Sequence, residues 1–448
     1  MQKIAAILTV FCLLTAGVKG QELRNTRDLP DSGGLRDAAF LHRSIKAMTD
    51  IMVHDIYSPP VASRIYAYIS VAGYEACRHA DPHYRTLAAQ LRGLTPADPP
   101  TPGKKYNYSL AAAHAILVVG KSLVISEEKV EDFHTKILRE FRDAGMSQEV
   151  FDNSVEFGKQ VAEHILAWAA GDNYKQSRAL PKFAVTDDPG SWKPTAPSYM
   201  KAVEPHWNEI RTFLIDSAQQ FKPDPSPPFS TDTNTRFYKE AKYVFETSQH
   251  LSAEQVEIAN FWDCNPFKMN INGHVMYASK KISPGGHWVN ITGLACKKAH
   301  AGLVRSAEAY VCIAVTLADC FINCWDEKYR STVIRPETYI NQYISESWMP
   351  VLQTPPFPEY TSGHSVVSAA AATVLTRLFG ENFQYADSTE IEFKIPVRRF
   401  TSFKQAAEEA GISRLYGGIH YMPSIKNGLN EGYAIGEYAV LKLRTRQD

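Results

Sequence analysis

Three short stretches in the last third of the chain bring together the residue types that bind and transform an oxyanion. They are "KYRSTVIRP" (328–336), "YTSGH" (360–364) and "SRLYGGIH" (413–420). Lys328, Arg335 and Arg414 are cationic donors, and the two arginines carry planar forks that match the oxygens of a tetrahedral oxyanion. Ser362 adds a hydroxyl. Gly363 permits close backbone approach where a helix is expected to begin, and free N–H groups at a helix N-terminus favour an anion. His364 and His420 complete the set: one can attack or ligate the central atom while the other moves a proton. His420 follows Arg414 by six positions, and residues six apart do not share a helical face at about 100° per residue. The Gly417–Gly418 break must therefore turn the chain if both are to point inward. Taken singly, these stretches could be a charged helix face, a helix cap and a surface ion pair.

The elements that must position these residues read as helices. "DAAFLHRSIKAMTDIMVHDIY" repeats apolar residues at three and four, and "SPPVASRIYAYISVAGYEACRHA" places prolines at a helix entrance. Further helices are expected over 108–124, 127–143, 147–170, 234–248, 252–263, 287–327, 363–379, 402–416 and 425–444. Alternation of the strand type is scarce. The region 172–233 is rich in Pro, Asp and Ser but also holds tryptophans, so it reads as a packed wrapping loop. The expectation is an all-α helical bundle over 21–448 as a single domain, wrapped by this loop, with the anion site built from 325–420.

Lys plus Arg equals Asp plus Glu at 48 each among 448 residues, so bulk charge suggests neither nucleic acid nor an anionic membrane as a partner. Residues 1–20 read as a secretory signal, with Lys3 before an apolar stretch and Val18-Lys19-Gly20 as the cleavage site, which predicts a secreted or periplasmic protein. Beyond it, the best apolar run, "AYVCIAVTLA", is short and flanked by Glu308 and Asp319, so no membrane span and a soluble mature protein are expected. Cys320 and Cys324 lie one helical turn apart and are expected as buried thiols. No CxxCH, HExxH or CxxC pair marks haem or zinc.

The three stretches resemble the signature K-x6-RP, P-SGH, SR-x5-H of the vanadium-dependent haloperoxidases and type 2 phosphatidic-acid-phosphatase-like enzymes. The first and third blocks are complete here, and the middle one reads "PEYTSGH". Upstream, "SPPVASRIYAYISVAGYEA", "DPGSWKPT", "QFKPDPSPP", "SAEQVEIANFWD" and "GGHWVNI" resemble the soluble bacterial haloperoxidase branch. The resemblance implies vanadate as cofactor, with His420 as its ligand (or as the phosphoryl-accepting nucleophile in a phosphatase). It implies His364 as the acid/base, and Lys328, Arg335, Ser362, Gly363 and Arg414 as the oxyanion cradle. It also implies Trp325 and Phe357 as the halide pocket, and Asp263 as an acid pairing with Arg414.

One departure separates the branches. The phosphatases usually read H-x3-D, whereas "HYMPS" puts Ser424 where that Asp would activate the nucleophile. A neutral acceptor suffices for a metal ligand. The expected function is therefore peroxidation of halide, iodide first and bromide second, by hydrogen peroxide to hypohalous acid. His364 would handle the proton, Lys328 would polarise the peroxide, and vanadium would act as a Lewis acid. The alternatives are a secreted acid phosphatase and a non-catalytic oxyanion-binding protein. The sequence leaves the oligomeric state open.

Overall fold

The computed structural model describes residues 38–272 and 274–447. The expected signal at 1–20 lies outside them. The first helices are α1 (Ala39–His54), α2 (Pro59–Cys77), α3 (Tyr108–Leu123), α4 (Glu127–Asp143), α5 (Gln148–Ala170) and the single turn α6 (Tyr174–Ser177). Then come α7 (Arg236–Gln249), α8 (Ala253–Phe261), α9 (Pro284–Lys298), α10 (Leu303–Ser331) and α11 (Pro336–Tyr343). The last are α12 (Gly363–Phe379), α13 (Phe403–Tyr416) and α14 (Met422–Lys442). The strands among the described residues form two antiparallel pairs: β1 (Met269–Asn272) with β2 (Val275–Ala278), and β3 (Tyr385–Asp387) with β4 (Arg398–Phe400).

Two central helices organise the core. Ser58 caps α2 by accepting the Val61 amide, Pro59 and Pro60 fit its first turn, and all of its residues are buried. Beside it runs α10, buried from Leu303 through Lys328 except Arg305. The apolar core around this pair includes residues from Phe40 to Ala439. By length and hydropathy α10 could cross a membrane, which the short run read from sequence did not suggest, but its apolar window is fully buried within the protein. The expected helix over 287–327 is broken: α9 ends at Lys298, His300 turns into the left-handed region, the Ala301 amide closes onto Cys296, and Gly302 starts α10. The turn folds α10 back against α9.

A close helix approach sets the site. In α14, Gly428, Gly432 and Gly436 face α12, and a Cβ at Gly432 would lie 2.1 Å from the Val366 carbonyl oxygen. One turn earlier, a Cβ at Gly428 would meet the Ser362 carbonyl at 3.0 Å. The glycines let α14 hold the N-terminus of α12 in place.

The irregular segment 172–233 does wrap the bundle. Its Trp192 and Trp207 are fully buried. The buried Asp319 carboxylate on α10 accepts the amides of Phe213, Leu214 and Ile215 at 2.7, 2.6 and 3.0 Å. Burial pushes that carboxyl up to about 6 even so. The Val203 carbonyl accepts both Trp325 Nε1 (3.2 Å) and Tyr329 OH (2.6 Å), fastening the strap beside the expected site.

Candidate active site

Helix α10 ends with Thr332 in the left-handed region, and the chain reverses into Arg335, the N-cap of α11 ahead of Pro336. Lys328 is fully buried. Its ammonium donates to the carbonyls of Pro358 (3.0 Å), Glu359 (3.1 Å) and Thr361 (2.5 Å). Three acceptors match its three N–H bonds. The expected free donor is thus a clamp on the segment that delivers Ser362 and His364, held over the rings of Trp325 and Phe357 at 5.8 and 5.3 Å. Arg335, also fully buried, donates from Nε to the Phe357 carbonyl and from Nη1 to that of Ile419, each at 2.9 Å. Its Nη2 has no hydrogen-bond partner among the described residues.

Ser362 caps α12, its hydroxyl accepting from the Ser365 amide (3.3 Å) and hydroxyl (2.9 Å). Gly363 and His364 follow as the first residues of this helix, with the Gly363 backbone packed near Trp325 and Cys324. Buried His364 Nε2 is unpartnered. Trp325 and Phe357 stand 5.0 Å apart, ring to ring, and line one pocket with Gly363, His364, Arg414 and His420. The cavity is small, about 30 Å³.

The opening of "SRLYGGIH" works as its glycines require. Helix α13 carries Arg414 and ends at Tyr416. Gly418 takes φ +74° against Pro350 and Trp348, and the turn brings His420 to the pocket that Arg414 also lines. Arg414 Nη1 donates to the Trp262 carbonyl at 2.7 Å, and its Nε is buried without a partner. The expected pairing of Asp263 with Arg414 is not formed as an ion pair. Asp263 instead receives Lys281 (2.7 Å) and Lys268 (3.4 Å), and its influence on Arg414 is through space and through the adjoining Trp262 carbonyl.

Sequence reasoning missed Glu359. Its fully buried Oε1 lies 2.7 Å from His420 Nδ1 and 3.0 Å from the Tyr421 amide. Ser424, expected to hold this ring, stands farther off, at 3.3 Å from Nδ1. The acid sits three residues before Ser362 in "PEYTSGH", and that proximity to the helix cap was the available signal. A carboxylate at Nδ1 and an Arg335 Nη1 donor 3.1 Å from Nε2 fix the tautomer: Nδ1 carries the proton and Nε2 presents a lone pair.

The electrostatics suit an anion. Burial, then Arg335, Lys328 and Arg414, hold His420 well below its ordinary value, so it is neutral. Burial and Arg414 do the same to His364. Burial also lowers Lys328, Arg335 and Arg414. Three buried cations, two neutral imidazoles and the unpaired Arg335 Nη2, Arg414 Nε and His364 Nε2 fit a tetrahedral oxyanion.

A family model described as the VCPO second helical-bundle domain matches residues 308–448. Among solved structures, the chain is similar to a protein described as the first bacterial vanadium-dependent iodoperoxidase. The two share 48% identity with TM-score 0.86, over 92% of this chain and 97% of that one. A holo-type bacterial vanadium-dependent chloroperoxidase is similar at 16% identity and TM-score 0.63, over 87% of this chain and 94% of that one. Its apo-type counterpart is similar at 15% and 0.63, over 86% and 94%. These last two show a common fold. No curated protein matches.

Proposed function

This chain belongs to the vanadium-dependent haloperoxidases, and on that premise we propose that it oxidises iodide with hydrogen peroxide while holding vanadate on His420. The observation that carries the proposal is the His420 lone pair at Nε2, fixed by Glu359 and set among buried guanidinium groups. When bound, vanadate supplies a Lewis-acid centre that activates peroxide toward halide without changing its own oxidation state.

The protein's residues do the rest. Arg335 through Nη2 and Arg414 through Nε would donate to the anion's oxygens, with the Ser362 hydroxyl and the start of α12 completing the cradle. His364, neutral and unpartnered at Nε2, can take a proton from incoming peroxide and return it to the leaving oxygen. Lys328 orients the 358–361 segment, and releasing one carbonyl would free an N–H to polarise peroxide. Trp325 and Phe357 form the wall against which a large, weakly hydrated halide would sit. The sequence of 1–20 supports export to the periplasm or the medium.

Iodide is favoured because it is the easiest common halide to oxidise and because the 48% identical relative is described as an iodoperoxidase. Steady-state assays of vanadate-loaded protein with iodide and with bromide test this, and turnover of bromide faster than iodide would reject it. A second reading has one specific support. Glu359 supplies the negative charge at His420 Nδ1 that Ser424 lacks, so without vanadate the same histidine could accept a phosphoryl group.

A further inference from the structure

We propose that Cys264, His287 and Glu390 form a binding site for a zinc-class divalent cation beside the oxyanion pocket. Cys264 Sγ lies 3.3 Å from His287 Nδ1, Glu390 Oε1 lies 3.5 Å from the same nitrogen, and all three atoms fall within 4.8 Å of one another. Tetrahedral zinc bonds of about 2.3 Å to sulfur and 2.0 Å to nitrogen or oxygen separate neighbouring ligand atoms by roughly 3.3–3.5 Å. The two spacings at His287 Nδ1 therefore need little adjustment, and the third, within 4.8 Å, would close as the ion binds. The three residues come from the loop after α8, from α9 and from the turn after β3, which is why no local motif announces them.

Two further observations point to a cation. Glu390 is 2% exposed, and its Oε1, aimed at the His287 nitrogen, has no hydrogen-bond partner. A thiol and a carboxylate thus converge on a single Nδ1, which has at most one proton to share. On the other side of the ring, His287 Nε2 lies 2.8 Å from Asp387, itself held by the Thr389 amide and hydroxyl at 3.0 and 2.7 Å. A carboxylate behind a histidine is the arrangement that orients a metal-ligating imidazole and makes it a better donor.

A thiolate, a carboxylate and a neutral imidazole would balance a divalent charge, and binding would release the thiol proton. Cys264 lines the oxyanion pocket, so the ion has an entry path and its fourth position can face that space. The ion would also brace Trp262, whose ring stacks on His287 at 4.7 Å and whose carbonyl receives Arg414.

The test is metal content of full-length protein, stripped with chelator, incubated with Zn²⁺ and freed of excess; zinc and vanadium are counted separately. About one zinc per chain is expected in the wild type, with loss in C264S and in E390Q. Co²⁺ in place of Zn²⁺ should give a thiolate charge-transfer band in the wild type that C264S lacks. Wild-type protein that retains neither ion, or folded variants that retain zinc as well as the wild type, would overturn the site. A wild type without a cobalt thiolate band would overturn the site even if a variant fails to fold.

Discussion

Glu359 Oε1 stands 2.7 Å from His420 Nδ1, so a buried carboxylate sixty-one residues back in the chain sets which nitrogen faces the pocket. The distance argues for an N–H donated from the ring, and it leaves the Nε2 lone pair, 3.1 Å from Arg335 Nη1, on the side of the anion site. Burial pushes the carboxyl up to about 7 in spite of Arg335 and Lys328. The sign follows: the acid is anionic above that range and neutral below it.

Glu359→Gln should therefore weaken vanadate retention roughly 10–100-fold, the usual cost of removing an outer-shell partner of a ligand histidine. In the wild type, affinity should also fall as pH drops through about 7, and the variant should be flatter over the same interval. Vanadate titrations across pH check both. Equal affinities and equal slopes would mean that Ser424 alone holds the ring.

Arg335→Ala and Arg414→Ala should each slow turnover about 10²–10³-fold, as for a lost oxyanion donor. Their stabilities should differ. The Arg335 change strands the carbonyls of Phe357 and Ile419, whereas after the Arg414 change the Trp262 carbonyl still accepts the Cys264 amide at 2.9 Å. At about 1–3 kcal/mol for each unsatisfied buried acceptor, the Arg335 variant should melt lower. Thermal melts beside rates measured well below the transition separate the two effects, and an unchanged rate in either folded variant removes that arginine from the site.

His364→Ala should impair peroxide turnover more than vanadate binding, because its unpartnered Nε2 is suited to moving a proton. Comparing peroxide kinetics with vanadate titration decides the matter. Equal losses would make the residue chiefly structural.

Much of this site was legible in the sequence because its cations and histidines sit at fixed spacings around helix ends. Ser362 as the cap of α12 and the glycine turn before His420 are local features, and local features can be read from a single chain. The rest depends on contacts far apart in sequence. Lys328 meets carbonyls some thirty residues on, and nothing in "KYRSTVIRP" shows that all three of its N–H bonds are taken. Asp263 finds Lys268, five residues on, and more closely Lys281, which lies beyond the β1–β2 hairpin. The break between α9 and α10 lacks proline, and helical periodicity continues through it.

Asp263→Ala should consequently lower stability by about 1–3 kcal/mol, through loss of charge-assisted hydrogen bonds to two lysines. Vanadate affinity should remain close to wild type. Denaturant unfolding and vanadate titration of the same preparation provide the comparison. A large affinity loss with stability intact would restore Asp263 as the partner of Arg414.

The most direct test is to titrate vanadate-free protein with orthovanadate while following peroxide-dependent iodide oxidation, then to add phosphate, with His420→Ala in parallel. Oxidation should rise with vanadate to saturation and fall again as phosphate competes for the same tetrahedral site, while the variant should neither respond nor retain vanadate. Full activity in His420→Ala, or strong phosphoester hydrolysis that vanadate extinguishes with no oxidation of iodide or bromide, would contradict the account.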